Sequence, residues 1–129
     1  MHRHTFIRQD GFTLVEIISV LIILSVLAAI AVPKFIDLDV NAKEHGIEVG
    51  IGELNGQESL VWANTKLAPN GWQDDAQVFS LINPDLGPDY KWTAGPNAGG
   101  GTLMFQSSAE AELLRGPSEF SKPARWSRK

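Results

Sequence analysis

The 21 residues from Phe12 to Val32 are apolar except for Thr13, Glu16, Ser19 and Ser25. A helix of that length rises about 30 Å, enough to cross the hydrocarbon core of a bilayer. The run is apolar on nearly every side, which suits a helix surrounded by lipid or by other helices rather than one lying on a single core. A carboxylate inside such a segment costs a few kcal/mol unless it finds a partner, so Glu16 is a functional candidate by default. Its plainer alternative is a carboxylate about 6 Å into the helix that merely reaches the headgroups.

The flanks narrow the choice. Residues 1–11 carry His2, Arg3, His4 and Arg8 against Asp10, a weakly cationic leader expected to stay in the cytoplasm. A secretory signal would place its cleavage site after the apolar region, and Ala28-Ala29-Ile30-Ala31 has that look. Against this, Glu16 has no place in an ordinary signal region. Gly11, just before the run, is the small residue at which cleavage would leave the helix on the mature chain. Such a cut would also expose the α-amine of Phe12, the cation best placed to neutralise Glu16 of a neighbouring copy.

Pro33 lies where a proline kinks or stops a helix. Beyond it Phe35, Leu38, Ala42, Ile47, Ile51, Leu54 and Val61 recur near helical spacing. Between them lie Asp37, Asp39, Lys43, Glu44, Glu48, Glu53 and Glu58. This predicts an amphipathic helix to about Leu67, interrupted by Gly46, Gly50, Gly52 and Gly56, each unfavourable by about 1 kcal/mol relative to alanine. After the Asn70-Gly71 turn, Val78–Ile82 reads as a strand or a half-turn. Tyr90–Thr93 and Thr102–Phe105 read as a hairpin closed by a long glycine-rich loop, Gly95–Gly101. Residues 109–115 read as a strand or short helix, and the tail from Gly116 as an aperiodic surface segment.

The predicted fold class is therefore α+β, a long N-terminal helix on a small antiparallel sheet. Its expected divisions are a removed leader over residues 1–11, a membrane or filament-core helix over 12–33, an amphipathic continuation over 34–67, and a head over 68–129. A formal net charge of −4 gives no reason to expect nucleic-acid binding over the whole surface, and the absence of cysteine excludes disulfides and thiolate metal sites.

Gly11-Phe12-Thr13-Leu14-Val15-Glu16 followed by an apolar helix resembles the N-terminal signature of type IV prepilins and type II secretion pseudopilins. In that family a membrane peptidase cuts after the glycine and methylates the new N-terminal phenylalanine, which map onto Gly11 and Phe12. The conserved-type glutamate four residues further on maps onto Glu16, and the helix-kinking proline onto Pro33. The resemblance covers residues 11 to about 45. Within it, Ala31–Leu38 is similar to pilins of the mannose-sensitive haemagglutinin type. It implies a lollipop-shaped subunit held in the bacterial inner membrane with its C-terminus periplasmic. Assembly into a homo-oligomeric helical filament would follow, with a prepilin peptidase/methyltransferase, an ATP-driven assembly platform and an outer-membrane secretin as partners. Pilus (adhesion, motility) and secretion pseudopilus remain open alternatives, as does a monomeric membrane-anchored or secreted binding domain. Many major pilins carry a C-terminal disulfide that this chain lacks, which points to a pseudopilin or to another means of stabilisation.

Asp74, Asp75, Asp85 and Asp89, around Asn83-Pro84, are candidate calcium ligands, since Ca²⁺ takes about six to eight oxygens. Major pseudopilins hold calcium in a C-terminal loop, although the spacing here fits no calcium motif and solvated loop acids are the alternative. No other cofactor is expected. The tail's Arg115, Lys122, Arg125, Arg128 and Lys129 surround Trp126 and suggest pairing with a neighbouring subunit, solvated charge or, less readily, a phosphate backbone. Trp62, Trp72 and Trp92 read as core or subunit-packing residues, and His45 as a residue of the polar helix face. With no serine–histidine–acid set, phosphate loop or metal-ligand pair in the sequence, an enzyme is not expected.

Overall fold

A computed structural model describes residues 11–129, so the expected leader lies almost wholly outside the described residues. Two compact units divide the chain, one up to Leu38 and one from Asp39 onward. Helix α1, Leu14–Leu67, supplies residues to both.

In the first unit α1 begins on a reciprocal cap. The Thr13 N–H donates to Glu16 Oε2 at 2.8 Å and the Glu16 N–H donates to Thr13 Oγ1 at 3.2 Å. This is a capping box, which satisfies two of the backbone donors a helix start leaves open. Ser19 and Ser25 donate their hydroxyls back to the carbonyls of Val15 (2.7 Å) and Leu21 (2.6 Å), so neither needs water. The helix does not stop at Pro33 but runs through it.

In the second unit α1 packs on a four-stranded antiparallel sheet of order β1-β2-β3-β4, with β1 Tyr90–Asn97, β2 Gly100–Phe105, β3 Ala109–Gly116 and β4 Arg125–Arg128. Ile47, Ile51 and Leu54 of α1 meet Leu103, Ala109, Ala111, Leu113 and Trp126 of the sheet. Phe79, Leu86, Tyr90, Trp92 and Phe105 pack around them. Gly46 and Gly50 allow this close approach: a Cβ on Gly46 would fall on the Phe105 ring, and one on Gly50 would lie 2.9 Å from Tyr90. Gly52 and Gly56 face open space and owe nothing to the core. The helix ends where Pro69 and Gly71 (φ +65°) follow, with Gly71 N–H donating to Ala68 O.

Three local expectations are corrected. Val78–Ile82 belongs mostly to a short helix, α2, Asp75–Ser80, because Asp74 caps it by accepting from Gln77 N–H at 2.9 Å. The glycine-rich stretch is not a long loop. Asn97 pairs with Gly100, and only Ala98-Gly99 connects the strands. Gly100 (φ +138°) must be glycine there, since a Cβ would strike the Leu113 carbonyl. The tail is not a surface segment: β4 pairs with β3, and Ser118, Ala124 and Trp126 are buried.

Candidate functional site

Two glutamates of α1 bracket the chemistry available to this chain. Glu16 sits in a segment whose large apolar side chains, from Phe12 to Ile36, are all at least 47% exposed. Phe12, Glu16, Ile17, Val20 and Leu21 line one shallow hollow, so the expected processing residue and the expected assembly carboxylate share a patch. Gly11 precedes the helix there, whereas Pro33 lies more than four turns further along. Glu16 Oε2 takes the Thr13 N–H, and Oε1 has no hydrogen-bond partner among the described residues. The cap thus holds the carboxylate at the helix start, where the helix dipole favours a negative charge, and leaves one oxygen open to an incoming cation.

Glu58 is the opposite case. Its charge grouped it with the polar residues between the apolar positions, yet it is completely buried. Arg115, predicted as part of a basic tail, is buried beside it. All five guanidinium N–H groups are engaged. Nε donates to Glu58 Oε1 (2.6 Å) and Nη2 to Glu58 Oε2 (3.2 Å) and Asp75 Oδ1 (3.0 Å). Nη1 donates to Asp75 Oδ2 (2.7 Å) and the Ala98 carbonyl (3.0 Å). Trp126 Nε1–H donates to Glu58 Oε1 at 2.9 Å, and the Ser118 N–H and hydroxyl both donate to Asp75 Oδ1 at 2.7 Å. The Phe79 ring lies 5.0 Å from the guanidinium carbon. Burial pushes the Asp75 carboxyl upward, but hydrogen bonds from Arg115 and Ser118 outweigh it, leaving the group below its usual range. Burial likewise works against the Arg115 charge and is outweighed by Glu58 and Asp75, so its pKa is raised.

This network ties α1, α2, β3 and β4 together in a chain with no cysteine. Two sequence signals could have found it. Glu58 falls at the next step of the stripe Ile47, Ile51, Leu54, and the alternation of β3 (Ala109, Ala111, Leu113) puts Arg115 in the inward phase.

The four aspartates expected around a calcium ion are not brought together as a ligand set. Asp74 caps α2, Asp75 is held by Arg115 and Ser118, Asp85 accepts from Gly87 N–H at 3.0 Å, and Asp89 is exposed with its carbonyl taken by Gln106. Among the described residues no group of three or more acidic, histidine or cysteine side chains is placed to hold a metal. Trp92 packs against the core as expected, 5.6 Å from Trp126. Trp62 of α1 donates to Glu119 O, and Trp72, past the helix end, donates to Ser118 Oγ.

The family profile described as the prokaryotic N-terminal methylation motif matches residues 7–32, the patch that holds Gly11, Phe12 and Glu16. The type IV narrow pilus major component PilA5 of Thermus thermophilus is 31% identical over 105 residues, spanning 80% of this chain and 84% of that protein. No solved structure matches significantly. The similarity to PilA5 runs far past the N-terminal motif into the α+β head, and the chain belongs to the type IV pilin family.

Proposed function

We propose that the chain is the precursor of a structural, non-catalytic subunit of a type IV pilus-like filament. Cleavage after Gly11 releases the Phe12 amine, which is then methylated, and residues 12–32 hold the subunit in the inner membrane until it is drawn into the fibre. One observation carries this reading: the apolar helix up to Ile36 buries none of its large side chains within the chain, so something outside the monomer must cover them. Lipid covers them first and neighbouring α1 helices afterwards. Because lipid tails are as apolar as the side chains, the transfer gains little from the hydrophobic effect and relies on packing, pairing and external work. An ATP-driven assembly platform supplies that work, and an outer-membrane secretin provides the exit. The relative's role as a major pilus component favours a pilus over a secretion pseudopilus.

The geometry of Glu16 refines the pairing. Its Oε2 is occupied by the Thr13 N–H, and Oε1 is the atom that meets the Phe12 amine of an adjacent copy. Intact-mass measurement on the membrane and filament fractions tests the reading. It requires loss of residues 1–11 and gain of one methyl, and a chain cut after Ala31 or uncut would refute it. Glu16→Gln keeps an oxygen to accept from Thr13 but loses the charge. Membrane insertion should persist and filament incorporation should collapse; normal filament yield would refute the pairing.

A further inference from the structure

The late basic residues of the head are nearly all spoken for within the monomer. Arg115 is held by Glu58 and Asp75, Arg128 by Glu44 (2.5 Å) and more loosely Glu48 (3.7 Å), Lys129 by Glu112 (2.9 Å) and Lys122 by Glu119 (3.3 Å). Arg125 is the exception: exposed, with no acidic partner among the described residues. It borders a hollow of about 460 Å³ between Asn55 and Ser59 of α1 and the segment 116–124. The only carboxylate in the lining is Glu119, already paired with Lys122.

A second hollow, of about 220 Å³, carries the opposite charge. It is lined by Val49, Gly50 and Glu53 of α1 with Asp85, Leu86 and Tyr90, and it holds no cation. Neither Glu53 nor Asp85 has a basic partner within salt-bridge distance among the described residues, and both are exposed. Glu53 and Asn55 are two positions apart in one helix, hence on opposite sides of it at about 100° per residue. The head therefore presents an unpaired cation on one flank of α1 and two unpaired carboxylates on the other.

Such a surface cannot satisfy itself about a two-fold axis through either patch. Complementary patches on opposite flanks make a heterologous, head-to-tail contact, which continues from copy to copy into a closed ring or an open helical array. We propose that Arg125 of one subunit docks into the Glu53–Asp85 groove of the next, a lateral contact between heads that adds to the α1 contact. The proposal rests on the filament reading and specifies one of its interfaces. The occupant is a second copy because the chain itself supplies the complementary charge, and a guanidinium is suited to bridging two carboxylates.

Charge exchange tests it in the full chain, with filaments sheared from cells and quantified. Arg125→Glu places like charges together and should lower filament yield about tenfold. Glu53→Arg combined with Asp85→Asn, which keeps the turn acceptor at 85, should do the same. The triple variant, with the charges exchanged across the contact, should recover most of the yield. Thermal unfolding of each purified variant should match the unaltered chain, since every altered side chain is exposed. An undiminished yield from Arg125→Glu overturns the contact, as does a triple variant that folds and does not recover. If the unaltered chain forms no filaments, the polymer reading falls and this contact with it; if filaments form and the reversals are silent, only the contact falls.

Discussion

Glu16 and Glu58 stand 42 residues apart in one helix and show how differently the two units of this chain are finished. Around Glu16 the side chains are apolar and exposed, and the carboxylate has only its own helix start for company. Around Glu58 every partner is supplied by the same chain: a fork from Arg115, an indole N–H from Trp126 and, through the arginine, Asp75. A charge that meets its partners within the monomer stabilises the monomer's fold. A charge left with an open oxygen in an apolar setting makes the fold depend on another molecule. The second unit thus surrounds its charge with its own residues, whereas the first is a formed helix whose carboxylate and apolar side chains stay exposed.

The largest effect expected from breaking this contrast comes at Arg115. Arg115→Leu keeps roughly the volume but leaves Glu58 and Asp75 without their cation, a change that costs about 3–5 kcal/mol for a buried pair. Denaturant unfolding of the full chain in detergent, followed by tryptophan fluorescence, should show that loss; a loss below about 1 kcal/mol would mean water reaches and satisfies the acids. A smaller effect follows from acid. The Asp75 carboxyl is held below its unfolded value, so it contributes stability above that value and loses it as the pH falls through the folded one. Stability of the second unit should therefore decline steeply below about pH 4. Asp75→Asn should be less stable at neutral pH and flatter in acid, and parallel curves for the two proteins would remove Asp75 from the account.

The apolar helix of the first unit was legible in the sequence, because lipid-length hydrophobicity and a single misplaced charge are properties of composition alone. The helix end at Leu67 and the hairpin also follow from short-range signals, namely the apolar period, Pro69 and the alternation around Trp92 and Leu103. What escaped depends on partners distant in sequence. Glu58 has the spacing of the buried stripe, but its charge reads as exposed; only Arg115, brought in by strand β3, makes its burial tolerable. The tail looked aperiodic because β4 is four residues long, too short for an alternation to register, and is pinned instead by Asn55, which exchanges two hydrogen bonds with the Trp126 backbone (2.6 and 3.0 Å). The aspartates were grouped by proximity along the chain, whereas the fold gives the carboxylates of Asp74, Asp75 and Asp85 separate local partners.

The glycines of α1 sharpen the comparison further, since the same substitution should have opposite signs within three turns of helix. At Gly46 a Cβ meets the Phe105 ring, and Phe105 is braced by Tyr90 (centroids 4.9 Å apart), whose hydroxyl donates to the Gly46 carbonyl at 2.7 Å. The ring has little room to yield, so Gly46→Ala should destabilise by about 1–3 kcal/mol, the usual range for overpacking. At Gly56 a Cβ meets nothing within 4 Å, and only the backbone entropy of glycine is removed. Gly56→Ala should therefore stabilise by about 0.5–1 kcal/mol in the same denaturant measurement. If both substitutions stabilised, helix propensity would dominate and the sheet would not approach α1 as closely as Phe105 requires. If both destabilised, the open side of Gly56 would already be occupied in the detergent-solubilised chain, and the second unit would not be finished by its own residues.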